Sequence, residues 1–428
     1  MTTISIAVRR ALTTAACVLP LAAFATDGYF SHGYGIKGKG MAGASTALAA
    51  DAMGGANNPA SMAFVGNRFD LGVDLFSPRR QVKREGSGNG MLDFSVDSDS
   101  TLFAIPELGY NMMFSPNMSL GVTVYGNGGM NTDFEGEQLD CSFVGGPPSA
   151  NGLCGMGRLG VNLEQLIVAP TLAWKFSPDH SIGVSPLFAY QKFRMQGAHL
   201  FTTLSQAPGN VTNLGHDNST GWGVRVGYMG RFGPATVGAT YTSKMDMDRF
   251  GKYEGLFAEQ GGFDMPEHYS LGVAFRPASS WLVAVDYKRI NYSGIASIGN
   301  PSSNQAPLGA DNGPGFGWQD VDVWKIGTEF AASPKLTLRA GYGKTDNPIL
   351  SSDVTFNILA PGVVRDHYTL GFTYAIDNTS EISGAYMHAK RNSVSGPSLF
   401  NAFAPGMGGN ETIEMYQNSL GIAWGKRW

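Results

Sequence analysis

Glycine and charge set this 428-residue chain apart from most soluble proteins. Glycine supplies 58 residues, about 14% of the chain, against roughly 7% in average proteins. Charged residues make up 15%, against roughly 25% in soluble domains. No apolar run reaches the about 18 residues expected of a transmembrane helix, and the 11% of aromatic residues argues against disorder. The class that remains is the outer-membrane β-barrel.

The first 25 residues have the three parts of a secretory signal peptide. Arg9 and Arg10 form a positive start, residues 11–22 are apolar, and residues 23–25 fit the A-x-A cleavage pattern. The sequence therefore predicts export and a mature chain that starts at Thr26. Without the two arginines, 28 basic residues face 34 acidic ones, a net charge of −6, which argues against a nucleic-acid partner.

Two cysteines remain after this cleavage, Cys141 and Cys154, in a stretch rich in glycine and proline. In an exported protein, two cysteines this close together predict a disulfide within one loop. The alternative is a metal-binding pair, but the nearest further ligands, His180 and His199, lie in a different segment. We therefore predict no metal and no cofactor.

A recurring tight turn divides most of the chain. Each turn contains Pro or Asp-Asn together with residues that bond to the local backbone, and alternating apolar segments flank it on both sides. The six turns lie at residues 114–117, 176–179, 232–234, 276–279, 332–335 and 376–379. Six such turns join twelve strands.

One further strand precedes the turns, at residues 69–76, and one follows them, at residues 416–428, so the total is fourteen. The other connections are long and rich in Gly, Asn, Ser and Pro; examples are residues 81–100, 133–157, 294–317 and 394–411. An even count with short turns on one side and long loops on the other is typical of bacterial outer-membrane barrels. A soluble β-sandwich would not supply fourteen strands of this length. We therefore predict an all-β fold, a 14-stranded antiparallel transmembrane β-barrel over residues 68–428.

The apolar positions of these strands are predicted to face lipid, and the alternate positions to face the lumen. The lumen positions are mostly small, with a few charged residues: Glu107, Arg225, Asp286, Lys288, Lys325, Glu329 and Arg339. Because acids and bases are roughly matched, salt bridges along the wall are the simplest interpretation. The C-terminal Trp428, with Trp424, Ile422 and Leu420 at alternate positions, resembles the signal that the barrel-assembly machinery reads.

Residues 26–67 precede the first strand and do not alternate. They are rich in Gly and Ala and poor in charge, which favours packing inside another structure over a solvated tail. We predict a short helix from about Met41 to Asp51. Residues 33–39 fit G-x-G-x-x-G and most of a P-loop, but no strand precedes them and Gly40 replaces the required Ser or Thr.

The tripeptide Asn58-Pro59-Ala60 follows this small-residue stretch and comes just before the first strand. In that position it resembles the N-terminal hatch of the FadL-type family, the outer-membrane transporters of long-chain fatty acids and of aromatic hydrocarbons such as toluene. The resemblance extends over the whole mature chain. It implies that residues 26–67 form a hatch inside the barrel lumen, with Asn58, Pro59 and Ala60 involved in gating.

The resemblance also implies a route. Substrate is captured among the outer loops, moves to a site inside the barrel against the hatch, and leaves sideways where the third strand kinks inward. That strand is predicted at residues 120–134, and Gly126-Asn127-Gly128-Gly129 lies where the kink is expected, because glycines in strands mark bulges or close backbone approach.

Two sets of residues are candidates for substrate binding. Apolar loop residues are expected to form the outer capture site, or alternatively to pack among themselves. Lumen cations are expected to bind the carboxylate of a fatty acid. The loop residues are Phe257, Phe263, Leu399, Phe400 and Phe403. The lumen cations are Arg225, Lys325 and Arg339.

We therefore predict a monomeric outer-membrane transporter for hydrophobic molecules, with long-chain fatty acids as cargo and aromatic or alkane hydrocarbons as the alternative. An apolar pocket suits such cargo, since burial contributes about 25 cal/mol per Å². The expected partners are the substrate, outer-membrane lipid and lipopolysaccharide. A general porin would not need a hatch. A lipid hydrolase would show a G-x-S-x-G elbow, which the sequence lacks, so we predict that the protein is not an enzyme.

Overall fold

Fourteen strands form a closed antiparallel ring in the computed structural model, which describes residues 27–403 and 405–428. The predicted signal peptide and its cleavage site lie outside these residues. The strands are β1 (Arg68–Glu85), β2 (Phe103–Ser115), β3 (Met118–Asn131), β4 (Gly160–Ser177), β5 (His180–Gln196), β6 (Asp217–Phe232), β7 (Ala235–Thr242), β8 (His268–Ala278), β9 (Trp281–Ile290), β10 (Val321–Ala331), β11 (Leu336–Thr345), β12 (Asp366–Ala375), β13 (Ser380–Pro397) and β14 (Asn410–Arg427).

Each strand pairs with its neighbour in the chain, and β1 pairs with β14 from Arg68–Arg427 to Glu85–Asn410, which closes the ring. Two short strands lie beside it: Phe94–Asp97 pairs with β1, and Asp246–Met247 pairs with β6. The six predicted tight turns join β2 to β3, β4 to β5, β6 to β7, β8 to β9, β10 to β11 and β12 to β13. The predicted fourteen-stranded barrel is confirmed.

The outer ends of the first and last strands are longer than predicted. β1 continues to Glu85 where we expected a loop from residue 81, and β14 begins at Asn410 instead of residue 416. These extensions pair with each other, Gln81 opposite Glu414 and Lys83 opposite Thr412. In this part the apolar side chains Val82, Ile413 and Met415 face inward into the loop cluster and the outer face is polar, which reverses the alternation on which the prediction depended.

The helical elements of the described residues are all short. The α-helices are α1 (Ile36–Lys39), α2 (Ala258–Gly261), α3 (Ala296–Gly299), α4 (Val354–Asn357) and α5 (Phe400–Phe403), and the 3-10 helices are Pro59–Phe64, Gly88–Gly90, Ser142–Val144, His199–Leu204, Pro208–Asn210, Gly251–Tyr253, Tyr292–Gly294 and Ser351–Asp353. None of the helices in residues 27–403 and 405–428 is long and apolar enough to cross a membrane.

The helix predicted from Met41 to Asp51 is wrong, because the structure has turns and irregular backbone there. The backbone N–H groups of Ser45 and Thr46 both donate to the Asp286 carboxylate, at 2.8 Å each. The N–H of Ala42 donates to Thr369 Oγ1 at 2.9 Å. The barrel wall therefore takes up donors that a helix would have used internally.

The two faces of the wall follow the predicted alternation. Large apolar side chains such as Leu120, Trp174, Leu370 and Leu420 are 47–63% exposed on the outer face, where lipid would cover them. The predicted lumen residue Arg225 is 2% exposed, and Lys325 is 6% exposed. Residues 27–67, which we call the hatch, are mostly buried inside the ring.

The long connections gather over the opposite end of the ring from the tight turns. Their apolar side chains pack with Tyr29 and Phe30 of the hatch into the largest buried cluster of the molecule. The predicted Cys141–Cys154 disulfide is present in the β3–β4 connection, with Cα atoms 5.6 Å apart. The upper half of the molecule is therefore closed by packed loops, and the hatch fills the space below them.

Candidate functional site

Wall carboxylates hold the hatch by its backbone. Besides Asp286, which binds Ser45 and Thr46, Glu107 accepts from the N–H groups of Gly35 and Ile36 at 3.2 and 2.8 Å. Buried carboxylates need such donors, because an unpartnered buried charge is costly. The contacts between wall and hatch are therefore specific, although hatch residues carry little charge.

Wall cations hold the hatch in the same way. Lys325 Nζ bonds to Asp27 Oδ2 at 2.8 Å and to the carbonyl of His32 at 2.6 Å. Arg225 Nη1 donates to the carbonyl of Gly55 at 2.6 Å. Most of the expected wall charges thus bond to the hatch, and the expected bridge within the wall is seen where Arg339 pairs with Glu329 at 2.7 Å.

The Asn58-Pro59-Ala60 tripeptide lies against β5 and β6. Asn58 is fully buried, and its Nδ2 donates to the carbonyls of Thr46 and Tyr228 at 2.8 and 2.9 Å. Its Oδ1 accepts from the N–H of Ala60 at 3.0 Å and caps the 3-10 helix that Pro59 begins. Ser181 Oγ on β5 donates to the carbonyl of Ala60 at 2.8 Å. Both ends of the tripeptide are therefore fixed to the wall.

Glycines in the wall make this close approach possible. A Cβ atom at Gly183 of β5 would lie 2.4 Å from the carbonyl carbon of Pro59. A Cβ atom at Gly227 of β6 would lie 2.1 Å from Asn58 Oδ1. Any side chain at these two positions would push the tripeptide away from the wall.

The glycine cluster of β3 forms a bulge where the strand changes partners. Pairing between β2 and β3 ends at Glu107–Tyr125. The β3–β4 register then shifts between Gly126 and Gly128, leaving Asn127 as the extra residue. Beyond the bulge, β3 still pairs with β4 but no longer with β2.

The hatch takes the place that β2 leaves. The N–H of Gly129 donates to the carbonyl of Tyr29 at 3.0 Å, and the N–H of Ser31 donates to the carbonyl of Asn127 at 3.1 Å. A Cβ atom at Gly128 would lie 1.8 Å from the Tyr29 oxygen. The first described residues of the hatch therefore form a turn that meets the inner side of the bulge through a single antiparallel bridge, Phe30 opposite Gly128.

A small polar cavity of about 40 Å³ lies between this part of the hatch and the wall. Its lining residues include Ser31, Tyr34, Arg225, His268, Asp286, Lys288 and Lys325. Lys288 is 9% exposed, and its ammonium group has no hydrogen-bond or salt-bridge partner in the described parts of the chain. The group lies 4.9 Å from the centre of the Phe30 ring.

An aromatic cluster lies beyond Phe30, whose ring contacts the Lys288 amino group. Tyr29 lies next to Phe30, Phe263, Tyr292 and Trp318, with ring centres 5.2–6.3 Å apart. The Tyr292 hydroxyl donates to the carbonyl of Asp27 at 2.5 Å. An apolar, ring-lined region thus meets a cation at the top of the hatch.

The model of the outer membrane protein transport protein family (OMPP1/FadL/TodX) matches residues 18–414. The chain belongs to this family. Its members are outer-membrane transport proteins, which agrees with the closed barrel described above. No protein with curated annotation matches the chain.

Three solved structures show how far the fold is shared. The toluene transporter TodX of Pseudomonas putida is 18% identical, with a TM-score of 0.68, and the alignment covers 93% of this chain and 99% of TodX. A FadL homologue of Pseudomonas aeruginosa is 14% identical, with a TM-score of 0.68 and the same coverage. The toluene transporter TbuX of Ralstonia pickettii is 17% identical, with a TM-score of 0.63 and coverage of 93% and 99%. At these identities the likeness shows a common fold.

The predicted capture residues of this family member form two pairs and one separate residue, Phe403. Phe257 and Phe263 are buried, with ring centres 4.9 Å apart. Phe400 covers the Arg84 guanidinium at 4.5 Å, and Leu399 is next to it in the chain. Phe403 is 55% exposed. The structure joins all but Phe403 to the large apolar cluster, so their packing with other loop residues is extensive.

The three cations that we predict to bind a substrate carboxylate do not lie together. Arg225 and Lys325 line the polar cavity, but both are bonded to the hatch. Arg339 lies away from it, bonded to Glu329 and Thr373. Our prediction placed Lys288 in the lumen but did not select it as a ligand, because alternation shows which way a side chain faces and not which partners it lacks.

One titratable pair joins the hatch to the wall beside this cavity. The rings of His32 and His367 stack with centres 6.1 Å apart. Burial, and then the neighbouring His367 ring, lower the pKa of His32 well below its usual range, so this residue is neutral at neutral pH. Within residues 27–403 and 405–428, no three or more His, Cys, Asp or Glu side chains are arranged to hold a metal ion.

Proposed function

We propose that this family member takes up long-chain fatty acids across the outer membrane. The outer loops capture the acid, the lumen site beside the hatch binds it, and movement of the hatch releases it sideways at the β3 bulge. Asn58, Pro59 and Ala60 fix the hatch in the closed arrangement. Residues 126–129 form the edge of the opening.

The observation that supports this cargo is the buried ammonium of Lys288. The amino group borders the cavity without a bond to the described parts of the chain, and a carboxylate oxygen there would give its charged form a charge-assisted hydrogen bond. The adjoining rings of Tyr29, Phe30 and Trp318 supply the apolar surface that the start of an acyl chain needs. A hydrocarbon would give the Lys288 ammonium group no hydrogen-bond partner.

The size of the cavity links binding to gating. A space of about 40 Å³ holds a carboxylate or a few water molecules but not an acyl chain. One route for the chain to Lys288 leads past the ring of Phe30, 4.9 Å from its Nζ atom, and the ring of Tyr29 beside it. Entry by this route would displace the turn of residues 27–30 from the β3 bulge, which is the step that the lateral exit requires.

Aromatic or alkane hydrocarbons are the second candidate cargo. The dense ring cluster around Tyr29, Tyr292 and Trp318 would suit an aromatic molecule, and two of the similar structures are named as toluene transporters. Only a fatty acid carries a carboxylate, so the test changes Lys288, the proposed partner of that carboxylate.

The test compares Lys288→Met and Lys288→Arg with the wild-type protein and with Lys344→Met, which removes an exposed lysine. We would measure the binding of oleate, oleyl alcohol and toluene to each purified barrel, and oleate uptake in cells that lack their own transporter. Loss of a charge-assisted hydrogen bond is worth about 1.5–3 kcal/mol, so Lys288→Met should weaken oleate binding about tenfold or more. Oleyl alcohol should bind as before, and Lys288→Arg should retain oleate.

Equal oleate binding by Lys288→Met and Lys344→Met would refute the proposed role of Lys288. Binding of toluene but not of oleate by the wild-type protein would favour the hydrocarbon alternative.

A further inference from the structure

The ladder between β4 and β5 is interrupted by two prolines that face each other. Pairing runs up to Val168–Phe188 and resumes at Leu172–Val184, and this register places Pro170 opposite Pro186. Proline has no backbone N–H to donate and is rare within the interior of sheets. The other sides of both strands remain paired, Pro170 with Val122 and Pro186 with Val224. The ladder between β4 and β5 therefore has a gap at this point, whereas the other edge of each strand remains paired.

Two lumen-facing hydroxyl groups bridge this gap. Thr171 Oγ1 and Ser185 Oγ lie 2.8 Å apart across the seam. Thr171 Oγ1 also bonds to the carbonyl of Ala169 at 3.1 Å. Side chains thus replace part of the missing backbone ladder, and a hydroxyl bridge is easier to break than a run of ladder bonds.

Apolar surface lies on both sides of the gap. On the lumen side, Ala169 and Leu187 belong to a buried cluster with Tyr34 and Met53 of the hatch. On the outer face, an apolar groove of about 680 Å³ begins at Leu172 and Val184, the first pair after the gap, and continues past Ile182 and Val226. A molecule that crossed the wall here would meet apolar side chains on both sides of the hydroxyl bridge.

The hatch touches the bridge directly. A Cβ atom at Gly55 would lie 2.8 Å from Thr171 Oγ1 and 2.7 Å from Thr123 Oγ1. The carbonyl of Gly55 is the one that Arg225 holds at 2.6 Å. A shift of the hatch at Gly55 would therefore remove a support of the Thr171–Ser185 bridge.

We propose that the β4–β5 seam is a second lateral passage, through which the hydrocarbon part of the cargo leaves the lumen for the lipid-facing groove. It is separate from the bulge of β3, which lies between β2 and β3. The inference rests on the proposed function in one respect, that the cargo is hydrophobic, and it holds equally for fatty acids and hydrocarbons. Opening requires the hydroxyl bridge to part and the two proline-containing segments to separate.

The test is to fasten the seam with a disulfide. Thr171→Cys with Ser185→Cys replaces the two hydroxyl groups of the bridge. The matched control is Thr373→Cys with Ser383→Cys, because those hydroxyl groups lie 2.7 Å apart across the continuous β12–β13 ladder. Uptake of radiolabelled oleate and of hexadecane is measured before and after treatment with a thiol reductant. The wild-type protein receives the same treatment to report on the Cys141–Cys154 disulfide.

We expect the oxidised Thr171–Ser185 cross-link to lower uptake at least threefold, with recovery on reduction, while the Thr373–Ser383 cross-link has no effect. Full uptake with the seam cross-linked would overturn the proposal. Equal losses from both cross-links would overturn it too, since they would reflect a general need for a flexible barrel.

A second measurement does not depend on transport. A photoreactive diazirine analogue of octadecanoate is added to the wild-type barrel in lipid nanodiscs, and the labelled residues are mapped. Labelling at Leu187 and Ala169 together with Leu172 and Val184 supports the passage, and its confinement to the β2–β3 side excludes it. A wild-type protein that takes up neither cargo would refute the proposed function, and the labelling pattern would still decide for or against the seam.

Discussion

A single buried side chain, Asn58, joins three parts of the molecule. Its amide connects the hatch backbone at Thr46, the wall at Tyr228 and the start of the 3-10 helix at Ala60. No other residue type of this size offers two donors and an acceptor in this geometry. The tripeptide is therefore suited to fixing the hatch, and its effect on the barrel itself should be small.

We expect Asn58→Ala to loosen the hatch while the barrel stays folded. The change leaves buried carbonyl and N–H groups without partners, at a cost of about 1–3 kcal/mol each. Amide exchange of hatch residues should become at least tenfold faster and oleate uptake should fall, while heat-modified migration of the barrel in gels stays as in the wild type. The control is Asn117→Ala, in an exposed turn. Loss of folded barrel in Asn58→Ala would show that the residue acts on global stability and not on the hatch.

At the scale of the element, β3 is one strand with two roles. Its first part, from Met118 to Tyr125, pairs with β2 and β4 as an ordinary wall strand. Its second part, beyond Asn127, pairs with β4 on one side and bonds to the hatch on the other. The side chain of Asn127 is fixed to Gln165 at 3.0 Å, so the bulge is held in place and is not a frayed end.

We expect Gly128→Ala to detach the hatch from β3 at the Phe30–Gly128 bridge. The added methyl group would lie 1.8 Å from the Tyr29 carbonyl oxygen, which is far closer than van der Waals contact. Because this neighbour is backbone, it cannot move aside as the end of a flexible side chain can. Amide exchange at Ser31 and Gly129 should accelerate, because each donates a bond across this contact.

The control for this variant is Gly209→Ala, since a Cβ atom there has no neighbour within 4 Å. Unchanged exchange at Ser31 in Gly128→Ala would contradict the close contact between the hatch and β3.

The strands show which features a sequence reveals. Turns such as Ser177-Pro178-Asp179 and the alternation around them have local causes, so they predicted the number and order of strands. The glycine cluster at Gly126 to Gly129 likewise indicated a bulge. By contrast, residues 41–51 have the composition of a helix but bond to Asp286 and Thr369, which are more than 200 positions away in the chain.

The candidate site could be predicted only in part for the same reason. Alternation placed Arg225, Lys288 and Lys325 in the lumen correctly. It could not show that two of them bond to hatch carbonyls while Lys288 faces a cavity. That distinction depends on where the hatch lies, and the hatch has no periodicity from which its position follows.

At the scale of the whole molecule, one buried ion pair gathers the outer loops. Arg84 Nε and Nη2 donate to Glu411 Oε1 at 2.9 and 2.5 Å, and both side chains are fully buried. Arg84 also donates to the carbonyl of Gly152 in the disulfide-closed loop at 2.9 Å. Ser398 and Thr355 donate to the Glu411 carboxylate from two further loops. This buried ion pair thus joins three outer loops to the ends of β1 and β14.

We expect Arg84→Met to loosen these loops together. It leaves the Glu411 carboxylate buried without its cation, which costs about 3–5 kcal/mol. Proteolysis of the outer loops should accelerate strongly, and the double variant Arg84→Met with Glu411→Leu should recover part of the loss.

The neighbouring pair Lys83–Glu85 provides the control, because both of its side chains are exposed, at 44% and 63%. Such pairs contribute about 0–1 kcal/mol, so Lys83→Met should change little. Similar proteolysis of Arg84→Met and Lys83→Met would rule out a central role for the buried pair.

The seam between β1 and β14 has a consequence for how the molecule is made. It pairs Arg68 with Arg427 and Glu85 with Asn410, so the two strands that complete the ring are the most distant in the chain. Joining ends so far apart has the largest loop-closure entropy of any ladder in the barrel. The hatch continues directly into β1, so one of the two strands that complete the ring is joined to the hatch. Closure of the cylinder and filling of its interior are therefore coupled events of assembly.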